Sequence, residues 1–179
     1  MFKDDRPREL CLSVALLGLL AACASPQEIK APGAARPAAG GASVAQPAPR
    51  IQVAEKPLQC VPYARARSGI ELYGDAWSWW GAAEGTYLKG RSPQPGSVLV
   101  LSRNQYTKLG HLAVVAEVVS SREILVEHAN WLNRGNIHLM TPVHDVSAGN
   151  DWSAVRVWYT PGGHLGRRVY PAEGFIHPS

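Results

Sequence analysis

The sequence predicts an α+β domain, with short N-terminal helices packed on an antiparallel β-sheet, over residues 56–179. Three observations carry this. Helix-like segments come first, at about Val61–Arg67 and near Asp75–Ala83. Apolar runs of strand length follow, from Ser97 onward, joined by short polar links. The two kinds of segment do not alternate, which argues against a parallel βαβ sheet.

The first helix is expected to start at or just after Cys60. Pro62 fits only the first turn of a helix, where its missing N–H costs nothing, and Ser68-Gly69 closes the segment. A second short helix is expected from Asp75, an N-cap residue, through Trp77, Trp79 and Trp80 to about Ala83. Ser92-Pro93-Gln94-Pro95-Gly96 is a turn-rich connection. Strands are then expected at 97–101, 111–119, 123–128, 136–141 and 152–159. Ser120-Ser121-Arg122 makes a hairpin link between the second and third. There is no internal repeat.

The segment before this domain reads as an address and a tether. Lys3, Arg6 and Arg8 precede an apolar run from Leu10 to Ala22. That run is too short to span a bilayer comfortably and fits the apolar core of a secretory signal over residues 1–22. It ends Leu20-Ala21-Ala22-Cys23, which resembles the lipobox of bacterial lipoproteins. The resemblance implies that Cys23 is acylated and becomes the first residue of the mature chain. It also implies a cell-envelope location facing the periplasm. Ala24, in place of Asp, points onward to the outer membrane. Residues 23–55 are rich in Ala, Pro, Gly and Gln without apolar periodicity. Such a segment buries too little surface to offset its ordering entropy. As a flexible coil it would hold its ends about 30 Å apart.

Composition narrows the function. A formal net charge of +4 is mildly basic. It suits contact with anionic envelope polymers, and no basic run or recognised motif points to nucleic acid. The three cysteines are Cys11, Cys23 and Cys60, and only Cys60 falls in the domain, so no disulfide framework is expected. A lone thiol in an exported domain is either buried and inert or kept for chemistry.

Cys60 at a helix start has the chemistry. The unpaired N–H groups and dipole of a helix N-terminus favour thiolate, the reactive form. His111, directly after Gly110 at the head of an apolar strand, could take the thiol proton. A third group ordinarily fixes such an imidazole. Alternating strand geometry places His128 and Asn130 on one face and Glu127 on the other. His128 and Asn130 are therefore the candidates in one strand phase, and Glu127 in the other. Trp131, next to Asn130, is the tryptophan expected to line a substrate groove; Trp77, Trp79, Trp80, Trp152 and Trp158 are expected in the core. His138, His144, His164 and His177 show no metal-ligand spacing and are expected on the surface or in loops.

Taken in order, these pieces resemble the CHAP family of cysteine- and histidine-dependent amidohydrolases and peptidases. They are Cys60 opening a helix, Gly74-Asp75-Ala76 with Trp77 and Trp80, and Pro95-Gly96-Ser97-Val98. Gly110-His111 before Ala113-Val114-Val115, and Asn130-Trp131 after a strand, complete the set. The resemblance covers about residues 57–132. It implies a papain-like fold and a peptidoglycan substrate cut at the muramoyl-L-alanine amide or within the stem or cross-bridge. It also implies Cys60 as nucleophile, His111 as general base and no cofactor. Where the family often carries Glu-x-Asn-Trp, this chain has His128-Ala129-Asn130-Trp131, so the third residue departs from the pattern. The resemblance does not say whether a protein activator gates the enzyme.

Three other readings compete. A zinc hydrolase would need clustered ligands that the sequence lacks, and would leave Cys60 unexplained. A glutathionylspermidine-type amidase is cytosolic by resemblance, against the export signal. A non-catalytic, peptidoglycan-binding lipoprotein that retains the fold is the remaining alternative, and the unusual His128 is its main support.

Overall fold

Along β4 (His111–Ser120), side chains alternate between two apolar surroundings, and that alternation explains the architecture. Ala113 and Val115 face one core with Leu99, Val126, Val155 and Phe175. Leu112 and Val114 face a second core with Ala64, Ile70 and Trp79. A strand buried on both faces reads as a continuous apolar run, as this one does. The computed structural model describes residues 47–132 and 134–179. The expected signal segment 1–22, the acylation residue Cys23 and most of the expected tether lie outside the described residues.

The remaining strands are β1 (Arg50–Gln52), β2 (Lys89–Gly90), β3 (Val98–Leu101), β5 (Glu123–Ala129), β6 (Ile137–Asp145), β7 (Ala154–Tyr159), β8 (His164–Leu165) and β9 (Tyr170–Ile176). All pairings are antiparallel. The order β6-β5-β4-β3-β9-β7 closes on itself because β7 also pairs with β6. The sheet is therefore barrel-like, and the first core fills its interior. Closure removes the exposed edges that an open sheet would present. Strands β1, β2 and β8 extend it at β6, β9 and β7.

The helical part is small. Besides a 3₁₀ turn at Thr160–Gly162 after β7, it comprises α1 (Cys60–Ser68), a 3₁₀ turn at Ala76–Ser78 and the four-residue α2 (Trp79–Ala82). These cover the outer face of β3 and β4 and enclose the second core. Gly69, at φ 75°, ends α1 by donating its N–H to the Arg65 carbonyl. The helices do precede most of the sheet, as expected. They form a short cap on one side of a barrel, however, and not a full layer on an open sheet.

Several expectations are corrected here. Arg50–Gln52 pair with Leu139, His138 and Ile137, so the sheet begins inside the segment assigned to the tether. The fourth expected strand continues to Asp145, through Pro142. Most consequentially, β9 was not expected, yet it sits between β3 and β7 in the ring. Pro171 and Gly174 break its strand signature. Gly174 fits because of local geometry: it has φ 135°, and a Cβ there would lie 2.5 Å from the Gly90 carbonyl oxygen. Of the tryptophans expected in the core, Trp79 and Trp152 are buried, whereas Trp77 is 41% exposed.

Candidate active site

Cys60 is the first residue of α1. Gln59, at the N-cap, has an extended backbone and makes no side-chain cap, so the first-turn N–H groups are not consumed by it. The backbone N–H groups of Leu112, Val61 and Cys60 itself are close enough to the Cys60 thiol to favour its thiolate form. Leu112 directly follows His111, so helix start and strand head meet at the sulfur. Burial raises the thiol's pKa, and these N–H groups oppose that shift.

His111 is positioned by a tight local fit. Gly110 before it has φ 72°, and a Cβ there would lie 2.8 Å from both the Leu101 oxygen and the Trp77 nitrogen. The Trp77 N–H donates to the Leu109 carbonyl at 3.1 Å, which ties the 3₁₀ turn to the loop entering β4. Only glycine lets the chain turn there and start the strand on His111.

The ring of His111 meets a second histidine. His111 Nε2 lies 2.9 Å from His128 Nδ1. His128 shares the inward face of β5 with Ile124 and Val126 and is 1% exposed. On β6, His138 pairs in register with His128, and their rings sit 5.4 Å apart at 74°. His138, expected on the surface or in a loop, is instead 2% exposed. Its strand carries it inward, opposite His128, and only cross-strand register reveals that. His128 Nε2 and His138 Nδ1 are buried without a hydrogen-bond partner among the described residues. Burial, and secondarily the neighbouring His138, holds His111 down at about 3. Burial first, then the other two rings, holds His128 well below the usual histidine range. Burial also lowers His138. All three rings are therefore neutral at pH 7.

The other candidates are placed differently. Glu127 points to the opposite face of β5, where its Oε2 accepts from Arg67 Nε at 2.5 Å and Tyr63 Oη at 3.4 Å, both on α1. Asn130 takes φ 61° and closes a turn. Its Oδ1 accepts from the Gly135 N–H at 2.9 Å, and its Nδ2 donates to Gln59 Oε1 at 2.7 Å. Neither side chain hydrogen-bonds His111. Trp131 packs edge-on to His111, with centroids 4.8 Å apart, and also lies against His128 and Tyr170.

These residues surround a cleft of about 710 Å³ lined by Gln59, Cys60, Asp75, His111, Asn130 and Trp131, with the Gln105–Gly110 loop along one side. Gln59 has no signal of its own in the sequence beyond its place before Cys60. It is recognisable only through the Asn130 contact, made across 71 positions of chain. Among the described residues, no cluster of His, Cys, Asp and Glu has the geometry to hold a metal ion. No helix there is long and apolar enough to cross a membrane.

A search of curated proteins finds no match to this chain. A family model does match: residues 52–130 fit the CHAP domain, a segment that runs from β1 to the turn after β5 and includes Cys60, His111 and His128. The ring strands β6, β7 and β9 lie beyond the matched segment. On this match, residues 52–130 are similar to the CHAP domain.

Proposed function

We propose that this protein is a cysteine amidase or peptidase acting on peptidoglycan, with Cys60 as nucleophile and His111 as general base. The observation that carries this reading is the meeting of the Cys60 thiol, at a helix N-terminus, with the head of the strand bearing His111. The CHAP match supports the hydrolytic class, whose members act on peptidoglycan.

His111 must accept the thiol proton on the nitrogen that faces the cleft. Its Nε2 then carries hydrogen and donates to His128 Nδ1, which fixes both tautomers. His128 is thus the positioning residue, in place of the usual carboxylate. With both groups neutral at rest, the proton moves to His111 as sulfur attacks the amide carbon, with no ion pair formed beforehand. The oxyanion is met by the Cys60 N–H and by the amide N–H groups of Gln59. Asn130 Nδ2 donates to Gln59 Oε1 and so holds that amide in place, with its N–H groups free for the oxyanion in this proposal. His111 then protonates the leaving amine, and water, deprotonated by His111, releases the thioester.

Residues 1–55 complete the proposal. A signal segment, a lipid anchor at Cys23 and a tether would place the domain on the periplasmic side of the outer membrane. Labelling with a radioactive fatty acid, wild type against Cys23→Ser, tests the anchor; equal labelling refutes it.

The central test incubates the full chain, wild type beside Cys60→Ala, with peptidoglycan sacculi and identifies products by mass spectrometry. Fragments released by wild type only are expected, and their masses name the bond. One observation favours a binding-only reading: the His111–His128 pair has no carboxylate to stabilise an imidazolium. Release by neither protein, with both folded and both retained on sacculi, would favour it.

A further inference from the structure

A second cleft, of about 490 Å³, adjoins the one at Cys60, and the two share Tyr106, Thr107 and Trp131 as a common wall. A chain lying across the sulfur can therefore continue past Trp131 into it. Its far wall is the segment from His164 to Arg168, after β7. That segment is tied down: Arg156 Nε donates to the Gly166 carbonyl at 2.7 Å, and the Gly166 N–H donates to Val157 at 3.0 Å. A Cβ at Gly166 would lie 2.5 Å from that Val157 oxygen, so the approach requires glycine.

The charge in this cleft is one-sided. Arg167 and Arg168 line it and no Asp or Glu does. Among the described residues, neither arginine forms a salt bridge. The guanidinium of Arg168 rests 4.4 Å from the Tyr106 ring centroid, which preorganises it over the wall shared with the first cleft. Tyr170 meets Tyr106 and Trp131 edge to face at 6.2 and 5.1 Å and completes an aromatic floor. A rigid fork of donors on an aromatic base matches a planar carboxylate better than a neutral amide.

We propose that this second cleft is a subsite for a carboxylate carried by the peptide cut at Cys60, with Arg167 and Arg168 as its grip. The inference rests on the acyl-transfer reading above and adds the substrate class: a peptide with a free carboxylate a few bonds from the scissile amide.

The test uses the full chain with Cys60→Ala and two purified muropeptides. One carries free stem-peptide carboxylates; the other is the same compound with those groups amidated. Calorimetry is expected to show the carboxylate form binding about tenfold or more tightly, the range of a charge-assisted hydrogen bond. Arg167→Gln with Arg168→Gln is expected to abolish that preference and leave the amidated ligand's affinity unchanged. The double Lys variant, which keeps charge and is a check on folding, should retain part of it. No preference in the parent, or an unchanged preference in the Gln variant, overturns the subsite. Cleavage of sacculi by the chain with Cys60 intact separates the two proposals. Arginine-dependent binding without cleavage sinks acyl transfer and supports the subsite. Cleavage with an unchanged KM in the Gln variant sinks the subsite and leaves acyl transfer standing.

Discussion

His111 Nε2 and His128 Nδ1 are 2.9 Å apart inside the barrel end, on adjacent antiparallel strands. In the mechanism proposed above, a histidine thus occupies the place where a carboxylate or an amide would ordinarily orient the base. Unlike a carboxylate, it brings no charge, so it can fix a tautomer but lends little to an imidazolium. The behaviour expected of the site follows from that difference.

Removing the acceptor should cost catalysis. His128→Phe keeps an aromatic ring and most of the volume but cannot accept from His111. Its kcat on sacculi or a muropeptide is expected to fall by about 10²- to 10⁴-fold, the range seen when a base loses its orienting partner. Glu127→Gln breaks only the ion pair to Arg67, half of which is exposed, and should stay within about threefold of wild type. A large loss in Glu127→Gln with a small one in His128→Phe would reverse the assignment.

The thiol should behave as a neutral group. Burial raises the Cys60 pKa, and the neighbouring imidazole, held at about 3, is a weak proton acceptor at rest. Iodoacetamide alkylation of Cys60 should therefore rise only at alkaline pH, above the range of a free thiol. A rate plateau reaching down to about pH 6 would mean a preformed thiolate–imidazolium pair and would contradict the neutral resting state.

Gln59 is expected to act in the transition state. Gln59→Ala should lower kcat by about 10²-fold with KM nearly unchanged, as loss of one oxyanion donor does. Asn130→Ala should show a smaller loss of the same kind, because it only orients Gln59. An effect on KM alone would assign Gln59 to ground-state binding.

Stability should depend on acid in a particular window. In the unfolded chain the histidines protonate near pH 6.5. In the fold, His111 stays neutral to about pH 3, and His128 and His138 are also depressed by burial. The unfolded state therefore binds more protons below about pH 6.5, and the free energy of unfolding falls as pH falls from there toward 3. Each fully depressed histidine contributes a slope of about 1.4 kcal/mol per pH unit. Urea unfolding at a series of pH values should show this decline, and His128→Phe should make it shallower. A flat profile between about pH 6.5 and 5 would mean that the rings are not held neutral.

Much of this site was legible in the chain itself. Pro62 after Cys60 placed the thiol at a helix start, because proline tolerates only the first turn. Gly110-His111 marked the head of β4, because a positive φ before a long apolar run needs glycine. Period-two alternation put His128 and Glu127 on opposite faces of β5. These are local rules, carried by neighbours in sequence. What alternation could not supply was which face points inward, since both Val126 and Leu125 are apolar. Packing settled that: α1 brings Arg67 and Tyr63 to Glu127, and the barrel interior takes His128. His138 was hidden for a related reason, because its burial depends on β6 pairing with β5 across a long turn. Strand β9 was hidden by Pro171 and Gly174; Gly174 fits because β2 and β3 approach it closely, and Pro171 pairs in register with Ala154 of β7. The sequence by itself determined the helix that opens at Cys60, the strand that opens at His111 and the order of helices before the main strands, all properties of short stretches of chain. The tertiary structure alone decided the closed sheet, the His111–His128–His138 row and the Asn130–Gln59 contact, because each joins residues that only strand register and packing bring together.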